Sequence, residues 1–570
     1  MRTIGRLLVT LLTLIGLGTV LLVAVAVLAL RSFLPQYEPL PARMLLMADW
    51  REGIPEVAGA GNLFDLRLRR PLTVAETVLA LDRAAADPHV AGLVVRLAET
   101  SNGLALTQEL RDAVLRLAAA GKLTVAYADT FGELGSGNEG YYLASAFKTI
   151  HLGPVGLVGL TGLAAQVPLV HDLLTRLGVG FEVIRRAEYK SALESLTDSE
   201  LSAPNREQLE ALLDTLQSQL VGGIAQGRGL APLRIVEMLD QGPITALEAL
   251  AGGLVDHLSQ PEDALDLALR EVGRDVRPIE LFDYSAHRPT APPEATRVAL
   301  IQAAGLIRRG EHGIGSEIAA DDLAELLHDV AKDPDVKAVL LRLDSGGGSA
   351  VASDTVARAL RKVRDADKPV IVSMGNAAAS GGYWIAVEAN RIVAQPATLT
   401  GSIGVVAGKP DLAGVWDRLD VNWAEITRGA HAGMWSLNRA YTPDEHARVE
   451  AIVGSLYESF TAGVARGRHL PVERVHEIAR GRVWAGETAL GLGLVDRLGG
   501  LDTALEEVRH ALSLPAGAPL DLELEGDGGG PLRALLRQLR ASTGVEALLA
   551  PWRQALHGGL LALDPPLAVR

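Results

Sequence analysis

The chain states one pattern twice, and that duplication limits its fold more than any other feature. Asp87-Pro88-His89-Val90-Ala91-Gly92-Leu93-Val94-Val95-Arg96-Leu97 returns as Asp333-Pro334-Asp335-Val336-Lys337-Ala338-Val339-Leu340-Leu341-Arg342-Leu343, an offset of 333 − 87 = 246. Lys122-Leu123-Thr124-Val125 keeps that offset at Lys368-Pro369-Val370-Ile371. Further on the offset is 383 − 141 = 242, with Tyr141-Tyr142 answered by Tyr383-Trp384 and Pro154 by Pro396. Solenoid units repeat every ~20–50 residues, so a unit this long is a duplicated domain. A chain of 570 residues also exceeds what one hydrophobic core holds. A reactive group present in only one half at a matched position would therefore mark a site between the halves.

The first repeat is expected over residues 44–288 and the second over 297–513, joined by the linker Pro289-Thr290-Ala291-Pro292-Pro293. The second repeat opens on the strand-like Arg297–Ile301. Short β-rich runs (Ala338–Leu343, Val370–Ser373, Arg391–Val393) then alternate with helical periodicity (Ala350–Arg364, Thr442–Arg466). That alternation predicts an α/β domain built from crossover units. Residues 514–570 form a tail. Within it Gly526-Asp527-Gly528-Gly529-Gly530 is a break, and 531–542 is a basic amphipathic stretch with Arg533, Arg537 and Arg540 against Leu535, Leu536 and Leu539. A second amphipathic segment runs over 545–563. Helices packed on their own domain are the first expectation for both, and contact with a membrane surface the other.

Residues 1–31 read as a membrane anchor. Leu7–Leu30 carries no charge, and as a helix at ~1.5 Å per residue it spans about 36 Å, enough for a ~30 Å hydrocarbon core. Arg2 and Arg6 precede it and only Arg31 follows closely, which puts the N-terminus in the cytoplasm and the bulk outside. A cleaved signal peptide ending at Ala24-Val25-Ala26 is the rival, but its apolar region would be ~7–15 residues. The chain has no cysteine, which excludes disulfides, thiolate metal sites and a cysteine nucleophile. A net charge of −15 argues against a nucleic-acid partner, which needs a basic face.

Chemistry concentrates in the second repeat. The strand from Val370 runs into Gly375-Asn376-Ala377-Ala378-Ala379-Ser380-Gly381-Gly382-Tyr383-Trp384. Small residues around Ser380 permit a tight strand-to-helix turn that exposes a serine, although the G-x-S-x-G motif is absent. A helix beginning near Ser380 offers free N–H groups to a developing oxyanion. Asp344-Ser345-Gly346-Gly347-Gly348, after the strand ending at Leu343, is a second source of such groups. Taken singly, either run reads as a packed glycine-rich turn.

A serine needs a base. None of the 13 histidines stands out; His431 lies in a featureless segment, and His446 and His476 sit in polar helical patterns. A lysine does the work when burial keeps it neutral. Lys190, in Arg185-Arg186-Ala187-Glu188-Tyr189-Lys190-Ser191-Ala192-Leu193-Glu194, reads on spacing alone as a solvated surface residue. The duplication reweights it. At an offset of 242, Lys190 maps to Ala432 and Ser380 maps to Asn138, so each half lacks what the other has.

In these residues the chain resembles the signal peptide peptidases of the long, two-repeat bacterial type (the protease IV family). Tyr189-Lys190-Ser191-Ala192, Ala379-Ser380-Gly381-Gly382-Tyr383-Trp384 and Leu399-Thr400-Gly401-Ser402-Ile403-Gly404 carry the likeness, in the right order and halves. The resemblance implies two tandem ClpP/crotonase-like domains after an N-terminal transmembrane helix. It implies a Ser/Lys-dyad serine endopeptidase of the bacterial inner membrane, with its domains on the periplasmic side. Ser380 would be the nucleophile and Lys190 the general base, Ser402 would hold the lysine amine, and the N–H groups of Gly381 and Gly347 would form the oxyanion hole. Substrates would be signal-peptide remnants and other apolar peptides, the assembly a homotetramer, with no metal or cofactor. The family usually reads Asn-Ser-Pro-Gly-Gly where this chain has Asp344-Ser345-Gly346-Gly347-Gly348; losing the proline raises the entropy of ordering that loop. Three alternatives stand beside this expectation: a crotonase-like acyl-CoA enzyme, a Ser-His-Asp hydrolase, and a catalytically impaired membrane scaffold.

Overall fold

The structure is a computed structural model that describes residues 39–525, apart from 58–69, 100–101, 134, 274, 288–290 and 312–316, together with Gly16 and the short strand Leu561–Ala562. The expected anchor, Gly16 apart, and the amphipathic stretch 531–542 lie outside the described residues, as does 545–563 except for that strand. Among the described residues no helix is long and apolar enough to cross a membrane.

Each half is built on a parallel sheet. In the first the order is His257–Leu258, Thr149–Leu152, Leu123–Ala128, Val90–Leu97, Met44–Asp49, Arg277–Glu280. In the second it is Val483–Ala485, Leu399–Gly401, Val370–Ala379, Ala338–Ser345, Thr296–Ala304, Leu520–Glu525, with Arg391–Ala394 also paired to Val370–Ala379. All rungs are parallel except that between Val483–Ala485 and Leu399–Gly401. Near-continuous apolar runs such as Ala338–Leu343 suit strands covered on both faces, and all six of those residues are buried. The Leu520–Glu525 strand carries the second sheet beyond residue 513, into the segment expected to be tail.

The duplication persists at the level of single hydrogen bonds. The Tyr141 hydroxyl donates to the Leu254 carbonyl at 2.6 Å, and Tyr383 to Leu494 at 2.8 Å. Arg228 pairs with Asp256 and Arg468 with Asp496, both at 2.8 Å. Each arginine closes a 26-residue helix, Ala203–Arg228 or Pro443–Arg468, and each helix starts on a hydroxyl cap, Ser202 or Thr442, with a proline in its first turn.

Among the described residues, three features stand out in joining the halves. The helix Leu501–Ala511 of the second half buries Leu501, Ala504 and Val508 in a core that contains Leu46 and Leu93 of the first sheet and Leu300 and Leu340 of the second. The strand Gly180–Arg186 leaves the first half and pairs antiparallel with Val405–Asp411 of the second. There Ile184 packs in a cluster with Val405, Ala407, Val449 and Val453. Thirdly, Arg342 of the second sheet, wholly buried, forms ion pairs with Glu56 at 2.5 Å and Glu109 at 2.6 Å, both from the first half.

Candidate active site

Ser380 follows the strand Val370–Ala379, whose last three residues pair with Leu399–Gly401. The chain turns there at φ 53° and ψ −115°, and the six-residue helix Gly381–Ala386 begins at the next residue. A positive φ at a serine is strained and persists only where the surroundings over-determine it. They do so here: Ser380 N–H donates to the Gly401 carbonyl and its own carbonyl accepts from Trp384 N–H, both at 2.9 Å. The expected strand ended at Ser373. It runs six residues further because Ala377 to Ala379 pair with a neighbouring strand, and Ala377 N–H also donates to Asp344 Oδ1 at 2.8 Å.

Lys190 arrives from the other half, just beyond the crossing strand Gly180–Arg186. Spacing alone suggested a solvated lysine; the structure overturns that, since Lys190 is 1% exposed. Its charged neighbours Arg185, Arg186 and Glu188 face solvent instead. Lys190 Nζ lies 2.9 Å from Ser380 Oγ, 2.8 Å from Ser402 Oγ and 3.3 Å from the Ser402 carbonyl oxygen. Ser380 and Ser402 are both fully buried. An amine in hydrogen-bond reach of a buried hydroxyl, fixed by a third polar group, is the geometry of a base-activated nucleophile.

Residues that the motifs did not reveal seat the lysine. Tyr189 N–H donates to the Arg480 carbonyl at 3.0 Å, and the Arg482 guanidinium lies 4.9 Å from the Tyr189 ring centroid. Buried Gln208 donates to Ser191 Oγ at 3.0 Å and accepts from Val483 N–H at 3.2 Å, tying the lysine loop to the second half. Gly481, at φ 75°, passes so close that a β-carbon there would sit 2.6 Å from the Lys190 backbone nitrogen. The one available signal was the Arg480-Gly481-Arg482 run directly before a strand.

The glycine loop holds a surprise. Gly347 N–H donates to Ser345 Oγ at 3.1 Å, and Ser345 Oγ in turn donates to the Gly305 carbonyl at 2.7 Å. The donor expected for an oxyanion is thus engaged within its own loop. Gly347 and Gly348 have φ of 115° and 152°. Burial pushes the Asp344 carboxyl up, opposed by the N–H groups of Ala377 and Asn376 and by Arg342. At the matched positions, Asn138 braces its own turn, donating to the Gly162 carbonyl at 2.6 Å and accepting from Thr161 N–H at 3.1 Å, and Ala432 is exposed. Among the described residues no group of three or more His, Asp or Glu is placed to hold a metal.

Compared with known proteins, the chain matches the profile described as Peptidase family S49 over residues 116–274 and 362–514. It is 30% identical over 494 residues to "Serine protease SPPA, chloroplastic" of Arabidopsis thaliana, covering 82% of this chain and 72% of that one. It is 34% identical over 387 residues to "Protease 4" of Salmonella typhi, covering 66% and 62%. Among solved structures, ClpP1 from Listeria monocytogenes is similar at 16% identity, covering 36% of this chain and 94% of that one, with a TM-score of 0.23.

Proposed function

Since the chain belongs to peptidase family S49 and is a serine protease, we propose that Ser380 is its nucleophile and Lys190 the general base, a dyad assembled across the two halves. The carrying observation is the 2.9 Å separation of Lys190 Nζ and Ser380 Oγ in a buried setting. Burial disfavours an ammonium ion, and a neutral Lys190 takes the hydroxyl proton as Oγ attacks a peptide carbonyl. Ser402 then holds the lysine in line. The protonated amine passes its proton to the leaving nitrogen, and water clears the acyl-enzyme. The oxyanion donors are the N–H groups of Gly381 and Gly347, the latter after release from Ser345 Oγ.

The substrates in this proposal are apolar peptides, signal-peptide remnants among them. Leu7–Leu30 would anchor the protein in the inner membrane with its domains outside the cytoplasm, and the working assembly would be a homotetramer. The test is turnover of an apolar fluorogenic peptide by the detergent-purified full chain. The rate is expected to rise with pH through an ionisation below the ~10.4 of a free lysine. No turnover anywhere between pH 6 and 10 would sink the proposal.

One observation favours a second reading, a catalytically impaired scaffold: the Gly347 N–H is already taken by Ser345 Oγ. Turnover separates the two, since a scaffold would bind peptides and never cleave them. In an active chain Gly346→Pro stiffens the loop and is expected to raise kcat or leave it unchanged. A ten-fold loss would show that the glycine's freedom is used.

A further inference from the structure

The strand that delivers Ser380 is not regular. Leu343 stands opposite Met374 and Ser345 opposite Ala378, so that Asp344 alone answers Gly375-Asn376-Ala377. Extra residues on one strand make a bulge, a device that re-aims the side chains beside it. Two side chains of the same half pin this bulge. Asp344 Oδ1 accepts from Ala377 N–H and Thr398 Oγ1 donates to the Gly375 carbonyl, both at 2.8 Å. The middle residue is held from the other half. Asn376 Nδ2 donates to the Asn102 carbonyl at 2.6 Å, and Asn376 Oδ1 accepts from Leu106 N–H at 3.2 Å. A side-chain amide donates at its nitrogen and accepts at its oxygen, so this orientation satisfies both partners and the flipped one satisfies neither.

The first half has a use for that side chain. The helix Leu104–Ala119 begins after Gly103, which has no side chain to cap it. The first N–H groups of a helix lack partners within it, and a cap accepts from the second or third of them. Leu106 is the third residue. Asn376 therefore caps this helix in trans, 270 residues away in the chain. Asn102 is fixed in turn, its Oδ1 accepting from Ile54 N–H at 2.7 Å. Gly103, at φ 82°, leaves the room required, because a β-carbon there would overlap the Asn376 amide.

We infer that Asn376 is a positioning residue for Ser380, fixing the bulge by capping a helix of the first half. This rests on the peptidase proposal above. Ala377 to Ala379 lead straight from the bulge to the serine, so a bulge that relaxes carries Ser380 Oγ away from Lys190 Nζ. The first half then serves the dyad twice, with the base itself and with the seat of the nucleophile. A misplacement of ~1 Å at a reacting group costs on the order of 10²-fold in rate.

The experiment is steady-state cleavage of an apolar fluorogenic peptide by the full chain, with melting curves. The variants are Asn376→Ala, Asn376→Asp, Gly103→Ala and the Asn376→Ala/Gly103→Ala double. Asn376→Ala should lower kcat about 10–100-fold with KM within about two-fold, the split expected when only transition-state geometry is lost. Aspartate caps about as well as asparagine, so Asn376→Asp should keep kcat within about five-fold of the unmutated chain. Gly103→Ala pushes the amide aside from the opposite half and should lower kcat as well. In the double variant it should add little, since both changes act through one contact. If Asn376→Ala does not fold, Gly103→Ala and Asn376→Asp carry the same test. Unchanged kcat in folded Asn376→Ala or Gly103→Ala overturns the inference and spares the peptidase proposal. So does an Asn376→Asp chain as slow as Asn376→Ala, or losses that multiply in the double variant. No turnover by the unmutated chain overturns both.

Discussion

Lys190→Met is expected to lower kcat for peptide cleavage by about three orders of magnitude or more, with the melting temperature little changed. A positioned general base contributes ~10²–10⁴-fold. Here it also prepares the nucleophile, so losing it should cost nearly as much as Ser380→Ala, because members of one catalytic unit are not additive. Methionine keeps most of the length and apolar volume of the stem. Lys190→Arg distinguishes base catalysis from packing: it keeps a cation but cannot lose its proton at working pH, and so should be equally inactive. The check is steady-state kinetics of the three variants beside their melting curves. Activity within ten-fold of the unmutated chain in Lys190→Arg would rule out a proton-accepting lysine.

The second large effect is on stability and centres on Arg342. Replacing it with methionine should destabilise the protein by about 3–5 kcal/mol, because removing one partner of a buried ion pair leaves uncompensated charge. Arg342 is 0% exposed and its partners Glu56 and Glu109 are 8% and 1% exposed. Two carboxylates share one guanidinium, and Asp344 and Glu109 lie close enough to oppose ionisation of Glu56. Burial pushes the Glu56 carboxyl up to about 7, against the pull of Arg342. Glu56 thus holds its proton more tightly folded than unfolded, and its contribution is lost as pH rises from about 4.5 through about 7. The size is on the order of 3 kcal/mol. Glu56→Gln carries a permanent amide and should flatten this part of the stability profile, measurable by urea titration at pH 5 and pH 8. An unchanged slope would place the proton elsewhere.

Much of the candidate site was legible because the chain carries its own comparison. Neither Ser380 nor Lys190 is persuasive alone; the blanks at Asn138 and Ala432 make them so. What stayed hidden depends on contacts between distant segments. Gln208 bridges Ser191 and Val483, and Gly481 makes room for Lys190; apart from the arginines flanking Gly481, neither position differs locally from an ordinary helix or turn. The loop around Gly347 was read as one source of oxyanion N–H groups, and its internal bond to Ser345 Oγ, a hydroxyl two residues away that competes for the same N–H, carries no sequence signal. The edge strand Leu520–Glu525 is a different lesson. Its alternation of Leu520, Leu522 and Leu524 with Asp521, Glu523 and Glu525 is a plain period-two signal, hidden only by its place beyond the repeat.

The crossing strand Gly180–Arg186 also governs when such an enzyme becomes active. Its partner Val405–Asp411 is made more than 200 residues later, and Lys190 and Ser380 are themselves 190 residues apart. At ~5–20 residues per second, a growing chain carries its lysine for roughly ten seconds or more before the serine exists. The seat of the lysine needs Arg480 and Gly481, later still. A truncated or half-made chain is therefore harmless to its neighbours, because the proposed dyad is a property of the finished molecule. Completion of synthesis takes the place that a removable pro-segment has in other proteases.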